Sequence, residues 1–288
     1  MVISGKTHVC AVIGDPIEHT LSPTMHNAAF EHLNLNMVFL AFRVTPDQLE
    51  NALRGVRALG IRGLNVTMPH KTSVTEFLDE ADAAVRFLGA ANTILNQDGR
   101  LKGFNTDGIG AVKALKQNGV NLTGKKVLVL GAGGAAKAVA FCLANEVDEL
   151  CILNRDAAKA RELASTLEPW GKHIIGDELS PRNIQEELRD SDVLINATSV
   201  GMAPNAHESL VEIRWLKTDL SVMDIVYNPV ETKLIRDAKT AGAKIVNGVE
   251  MLLHQGAASF EIWMGCKAPV EVMREALLNK LSSAGAAV

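Results

Sequence analysis

Val127-Leu128-Val129-Leu130-Gly131-Ala132-Gly133-Gly134-Ala135-Ala136 is the stretch that decides the fold. Four apolar, strand-forming residues run into a glycine-rich turn, and small residues suited to a helix follow. Gly131, Gly133 and Ala136 match the spacing G-x-G-x-x-G/A in the strand–turn–helix setting that a dinucleotide fingerprint requires. The first glycine permits the tight turn, and the second lets backbone approach a pyrophosphate. Ala136 allows close helix–strand packing. The helix start then offers unpaired N–H groups and a positive partial charge to phosphate. The competing reading is a tight turn that holds no ligand.

The next strand, residues 149–153, chooses the cofactor. It ends in Asn154-Arg155-Asp156, with Lys159 following. A carboxylate at this point would bond a ribose 2′-hydroxyl and favour NAD. Arg155 can instead pair with a 2′-phosphate and stack on adenine, and Lys159 adds charge. The balance favours NADP. Asp156 keeps NAD open, because its charge would repel the phosphate, and Arg155 could equally be a solvated surface cation.

Outward from this core, short apolar runs alternate with amphipathic segments, which implies βα units and largely parallel sheets. Before it, strands are expected over residues 8–13, 37–44 and 63–68, and helices over 22–33 and 46–59. Ser22 would cap the first helix, with Pro23 in its first turn. Asn96-Gln97-Asp98-Gly99 marks a hairpin within 91–105, and a helix over 107–116 follows. After it, a helix is expected over 157–167, strands over 192–196, 221–224 and 244–246, and helices over 249–264 and 269–281. Seams near 118–124 and 247–248 divide the chain. Residues 1–118 and 248–288 form one α/β domain, completed by C-terminal helices. Residues 119–247 form a Rossmann-type domain.

Composition narrows the function. The 288 residues are 47% hydrophobic and 22% charged, which suits two globular cores, and only 4% aromatic, so those cores are aliphatic. Lys plus Arg is 29 against 33 Asp plus Glu, with no basic block, so nucleic acid is not expected as a partner. Cys10, Cys142, Cys151 and Cys266 lack metal-ligand or CxxC spacing and read as small buried hydrophobes, with no metal expected. The N-terminal segment lacks the apolar core of a signal peptide. Residues 127–144 are interrupted by Lys137 and read as strand, turn and helix, not as a membrane span. The expectation is a cytoplasmic protein, monomer or homodimer, with no membrane partner.

Polar residues gather where the N-terminal strands end, at Asn65-Val66-Thr67-Met68-Pro69-His70-Lys71, Asn92-Thr93 and Asn105-Thr106-Asp107. Ligands of open α/β sheets bind at those ends, and this set suits a hydroxyl-rich substrate. Local readings compete: Asp107 could simply cap a helix, Lys71 could be a surface lysine, and His70 reads as a loop or packing histidine.

These segments resemble the shikimate dehydrogenase family. Pro16-Ile17-Glu18-His19-Thr20-Leu21-Ser22-Pro23 is similar to its substrate-carboxylate loop, and Asn65 through Lys71 to its signature strand and catalytic lysine. Gly89-Ala90-Ala91-Asn92-Thr93, Gly103-Phe104-Asn105-Thr106-Asp107-Gly108, Asn196-Ala197-Thr198-Ser199-Val200-Gly201-Met202 and Asp224-Ile225-Val226-Tyr227-Asn228-Pro229 follow in order. Asn247-Gly248, Met251-Leu252 and Gln255 complete the series. The resemblance implies NADPH-dependent, reversible reduction of 3-dehydroshikimate to shikimate, a CH–OH oxidoreductase of chorismate and aromatic amino acid biosynthesis. It implies that Thr20 and Ser22 hold the substrate carboxylate. Asn65, Asn92, Asp107 and Gln255 would bind ring hydroxyls, with Thr67 and Tyr227 nearby. Lys71 and Asp107 would be the catalytic pair, in a cleft able to close. Gly131, Ala132, Gly133, Gly134, Ala135, Asn154, Arg155, Lys159, Thr198, Ile225 and Gly248 would contact the cofactor.

One departure stands out. The family's carboxylate loop commonly reads Ser-x-Ser, whereas this chain has Thr20-Leu21-Ser22, and the added methyl leaves the choice between shikimate and quinate open. A quinate/shikimate enzyme using NAD or NADP is the alternative. A non-catalytic cofactor-binding regulator is a second, against which Lys71 and Asp107 argue. Another Rossmann oxidoreductase, such as a folate dehydrogenase, would explain the glycine loop but not the ordered N-terminal motifs.

Overall fold

A computed structural model describes residues 3–285, so Met1 and Val2, at the head of the segment tested for a signal peptide, lie outside the described residues. The chain divides into two compact α/β units, one running to Thr106 and resuming at Gln255, the other Asp107–His254. The sequence seams stand at 118/119 and 247/248 instead. The helix after the hairpin clusters with the second unit because of how closely it packs there, as described below.

In the first unit, the elements before the boundary are β1 (His8–Gly14), α1 (Ser22–His32), β2 (Met37–Arg43), α2 (Leu49–Ala58), β3 (Gly63–Val66), β4 (Glu80–Ala81), α3 (Ala83–Leu88), β5 (Thr93–Gln97) and β6 (Arg100–Phe104). Among the described residues they form a six-stranded sheet in the order β2-β1-β3-β5-β6-β4. Strands β1, β2 and β3 run parallel, but β5 is antiparallel to both β3 and β6. β4 and β6 are parallel to each other, so β5 is the one reversed strand of this sheet among the described residues, and the largely parallel expectation holds with the hairpin as its exception. A tight hairpin reverses the chain there, where a helical crossover would be needed to keep it parallel. Gln97 pairs with Arg100, leaving Asp98 and Gly99 as a two-residue turn with φ of 52° and 85°. Positive φ at both positions is what the right-handed strand twist demands of such a turn.

Ser22 does not cap α1. Leu21 holds the cap position without a side-chain bond, and the Ser22 hydroxyl lies 3.3 Å from Thr20 Oγ1 instead. Aliphatic side chains fill one face of the sheet, with Ala11, Ile13, Leu53, Leu64, Ile94 and Leu101 at its centre.

The second unit contains α4 (Asp107–Gln117), β7 (Lys126–Leu130), α5 (Gly134–Leu143), β8 (Glu149–Asn154), α6 (Ala157–Leu167), β9 (His173–Glu178), α7 (Pro181–Leu188), β10 (Val193–Asn196), β11 (Ser221–Asp224), α8 (Lys233–Thr240) and β12 (Lys244–Val246). Its strands run parallel in the order β12-β11-β10-β7-β8-β9. This is the doubly wound order, with the reversal between β7 and β10. Helix α9 (Gly248–Met264) starts here and continues into the first unit, where α10 (Val270–Gly285) ends the described chain.

Helix α4 belongs with α5 because Gly108 lets them approach. A Cβ at 108 would overlap the Ala138 carbonyl and lie 2.6 Å from Cys142 Sγ. Gly108→Ala is therefore expected to cost about 3 kcal/mol, read as a lower denaturation midpoint. An unchanged midpoint would show that the two helices have slack.

Cys10 and Cys151 are buried, but Cys142 is half-buried and Cys266 exposed, so the uniform reading of the cysteines fails for those two. Among the described residues no helix is long and apolar enough to cross a membrane, and no cluster of acidic, histidine or cysteine side chains could hold a metal ion.

Candidate active site

In the first unit the site begins where β1 and β3 end. Thr67 N–H donates to Ile13 O at 3.0 Å and Asp15 N–H to Met68 O at 2.9 Å. These bonds tie the chain leaving β1, which leads to Thr20 and Ser22, to the chain leaving β3, which leads to Lys71. Lys71 is half-buried, and its carbonyl accepts from Ala91 N–H at 2.8 Å. The His70 ring is buried, with Nε2 at 2.6 Å from Val44 O. His70 is thus a packing residue that anchors the loop carrying Lys71.

Asn65, Asn92, Thr93, Thr106 and Ser259 form a buried polar cluster at the carboxyl ends of β3 and β6 and the start of β5. Asn92 Oδ1 accepts from Thr93 Oγ1 at 2.9 Å and from Thr106 N–H at 2.9 Å. Asn92 Nδ2 donates to Thr106 Oγ1 at 3.0 Å and reaches Gln255 Oε1 at 3.4 Å. Asn65, Asn92 and Gln255, expected together from sequence, are therefore neighbours. Thr93 and Thr106, part of the polar set at the strand ends, are joined by Ser259, to which the sequence reading gives no role. Ser259, four residues after Gln255, is a lone hydroxyl in the apolar run Ala257-Ala258-Ser259-Phe260, and that spacing was the available signal. Asp107, largely buried, opens α4 in the second unit directly after Thr106.

In the second unit the fingerprint residues sit at the topological switch point. Gly131 has φ of 111°, and a Cβ there would lie 3.0 Å from Ala197 O and 3.2 Å from Thr198 Cγ2. Only glycine can occupy that gap between the ends of β7 and β10. Gly133 takes the cap position of α5 with no side-chain cap, and it and Gly134 are exposed with nothing near their missing Cβ atoms. Open backbone at a helix start, over a gap that excludes side chains, fits a pyrophosphate.

The neighbouring strand ends complete this surface. Asn154 Oδ1 accepts from Ala132 N–H at 3.2 Å, tying the β8 end to the glycine loop. Arg155 is exposed and makes no ion pair among the described residues. Asp156 caps α6 by accepting from Ala158 N–H at 3.1 Å, and its other oxygen is 3.8 Å from Lys159 Nζ. The carboxylate that competes with a 2′-phosphate is therefore already occupied by backbone and by a cation.

Thr198 is held by Asn196, whose Oδ1 accepts from the Thr198 hydroxyl at 2.7 Å and its N–H at 3.2 Å. Asn196 Nδ2 in turn donates to Asp224 Oδ1 at 3.0 Å, which also accepts from Val226 N–H, while Thr232 Oγ1 donates to Asp224 Oδ2 at 2.6 Å. Asp224 is fully buried without a cation, and burial pushes its carboxyl up to about 6. Gly248 packs on the end of β11, since a Cβ there would lie 2.5 Å from Val226 O and 2.7 Å from Ile225 O. Tyr227 is partly exposed beside them.

Three family models match the chain in succession. Residues 12–94 match the family model "Shikimate dehydrogenase substrate binding domain", 113–234 match "Shikimate / quinate 5-dehydrogenase" and 248–278 match "Shikimate 5'-dehydrogenase C-terminal domain". A shikimate dehydrogenase (NADP(+)) of Methanopyrus kandleri is 50% identical over 97% of this chain and 98% of its own. A shikimate dehydrogenase crystallised with NADP+ is 42% identical, with a TM-score of 0.89 over 97% of this chain and 98% of that one. The Listeria monocytogenes shikimate 5-dehydrogenase, crystallised with shikimate and NAD, is 39% identical, with a TM-score of 0.90 over 96% of this chain and 98% of that one. Matched from end to end in sequence and in both units, the chain belongs to the shikimate dehydrogenase family.

Proposed function

We propose that the protein is an NADP-dependent oxidoreductase that reversibly reduces 3-dehydroshikimate to shikimate. The first unit carries the substrate and the second the dinucleotide. The observation that carries the reading is the buried polar cluster around Asn65 and Asn92. Uncharged hydrogen-bonding side chains gathered around the strand ends suit a polyhydroxylated ring, and an apolar substrate would leave Asn65 Oδ1 unpaired.

The nicotinamide, when bound, supplies or accepts the hydride. The chain's own residues do the rest. Thr20 and Ser22 hold the ring carboxylate with their hydroxyls. Lys71 stabilises negative charge on the ketone oxygen and is a proton donor for it. Asp107 accepts from the resulting hydroxyl, and the pH–rate profiles of variants at 71 and 107 decide which residue exchanges the proton. Gly131, Gly133, Gly134 and their neighbours carry the pyrophosphate, and Thr198, Ile225 and Gly248 border the remainder of the dinucleotide.

Arg155 is the residue proposed for the 2′-phosphate. Arg155→Ala is expected to raise the KM for NADPH by about 10–100-fold, the worth of a charge-assisted bond, with NADH unaffected. Asp156→Ser keeps a capping oxygen and removes the charge, so NADPH should bind several-fold more tightly. Equal effects on both cofactors would dissociate these residues from the phosphate.

The direct test follows nicotinamide absorbance with shikimate and quinate, each with NADP and NAD. Turnover confined to shikimate and NADP supports the reading. Comparable turnover with quinate or NAD moves the protein to the broader quinate/shikimate group, and no turnover in any mixture overturns it.

A further inference from the structure

The cluster around Asn65 contains one polar atom that the fold leaves unsatisfied. Asn65 is buried, and its Oδ1 has no hydrogen-bond partner among the described residues. Its Nδ2 faces three oxygens: Asn92 O at 3.2 Å, Ser259 Oγ at 3.2 Å and Thr93 Oγ1 at 3.3 Å. Ser259 Oγ and Thr93 Oγ1 are themselves 2.7 Å apart. Each hydroxyl has one proton to give. One proton lies in that short contact and the other goes to Gln255 O, 3.0 Å from Ser259 Oγ, or to Asn92 Oδ1, 2.9 Å from Thr93 Oγ1, so in either order each oxygen keeps a free lone pair. Those lone pairs are left for Asn65.

The arrangement fixes which way the Asn65 amide points. Rotating the amide by half a turn would set its oxygen against the Asn92 carbonyl, an acceptor facing an acceptor. We propose that Ser259 and Thr93 are positioning residues that hold the Asn65 amide with its carbonyl oxygen turned to the substrate, so that Asn65 selects a ring hydroxyl as a hydrogen-bond donor. An acceptor buried without a partner is costly until a ligand supplies the proton. A hydroxylated ring regains that cost on binding, and a ring lacking the hydroxyl does not. Asn92 complements it. Its oxygen is already taken by Thr93 and Thr106, so it is a donor on the Gln255 side. The Asn65 acceptor thus reads a hydroxyl proton rather than shape.

This inference rests on the shikimate reading and is tested with it. Steady-state kinetics are measured for the full chain and for Ser259→Ala, Thr93→Val and Thr93→Ser, with shikimate and with derivatives each lacking one ring hydroxyl. Ser259→Ala and Thr93→Val should raise the KM for shikimate about tenfold, with kcat and the KM for NADP within about twofold. Thr93→Ser, which keeps the hydroxyl, should behave as the parent. For one deoxy derivative the parent and Ser259→Ala should become equal, because the hydroxyl that Asn65 reads is gone. A loss of the same size with every derivative, or an unchanged KM for shikimate in both hydroxyl-free variants, overturns the proposal. Silence of the parent chain with shikimate itself is a different failure and rejects the functional reading on which the proposal stands.

Discussion

Lys71→Ala is expected to lower kcat about 10³-fold or more while changing the KM for substrate only a few-fold. Reduction of a ring ketone builds negative charge on one oxygen and ends with its protonation, so a fixed cation and proton donor act on the transition state far more than on the bound ketone. The loop that carries Lys71 is built for fixity. The Lys71 carbonyl is held by Ala91 N–H at 2.8 Å, and the preceding His70 ring is pinned to Val44 O at 2.6 Å. Lys71→Arg should recover little, because a guanidinium gives up no proton near neutral pH and spreads its charge over a larger plane. The controls are NADPH affinity by fluorescence titration and the denaturation midpoint, both expected to match the parent. A Lys71→Ala enzyme with near-normal kcat would remove this residue from the chemistry, whatever its position.

The second large effect concerns stability in acid. His26 in α1 is fully buried among aromatic rings, stacked at 4.4 Å on Phe39 and 5.2 Å from Trp263, and neither ring nitrogen has a partner among the described residues. Burial without a partner pushes its pKa down to about 3 from 6.5. The unfolded chain takes a proton at His26 below about pH 6.5, and the folded protein only near pH 3. Between these values unfolding binds a proton, so folded stability falls as pH falls, by about 4–5 kcal/mol across the window.

Asp224 works in the opposite sense. Its carboxyl holds a proton up to about pH 6 in the folded state against 3.8 unfolded, so its contribution to stability grows on acidification and fades as pH rises through that range. The two groups partly cancel in the parent protein, so a variant is needed to separate them. His26→Leu should lie within about 1 kcal/mol of the parent at pH 7.5, since it trades ring contacts for the removal of two unpaired nitrogens. At pH 4.5 the variant should be ahead by about 2–3 kcal/mol relative to that comparison. Urea titrations at the two values measure the change. A difference independent of pH would mean that His26 is not kept neutral by its surroundings.

Much of the molecule is legible in its local patterns. The ends of α6, β11 and β12 coincide with the sequence reading because each is bounded by strong punctuation, such as the Asp156 cap and the apolar-to-polar step at Lys244. β9 and α7 escaped it. His173–Glu178 is an edge strand with only Ile174 and Ile175 to mark it, and Pro181–Leu188 is two turns long. Neither is long enough for a period to declare itself. The hairpin of β5 and β6 was legible in its turn, but the antiparallel pairing of β5 beside β3 was not. A turn sequence specifies a reversal between two strands but says nothing about the third strand that pairs beside them.

The sequence by itself determined the Rossmann unit, the residues at its strand ends and the polar residues of the first unit. Those signals are local, carried by glycine spacing, apolar runs and residues a few positions apart. Tertiary structure alone decided what those residues present to a ligand. Asn65 is oriented by Ser259, 194 residues away, and Thr198 is fixed through Asn196 by a buried carboxylate on another strand. His26 is neutral because helix, strand and C-terminal rings close around it. Side-chain orientation and protonation depend on which groups surround an atom in three dimensions, and that environment is assembled from segments far apart in the chain.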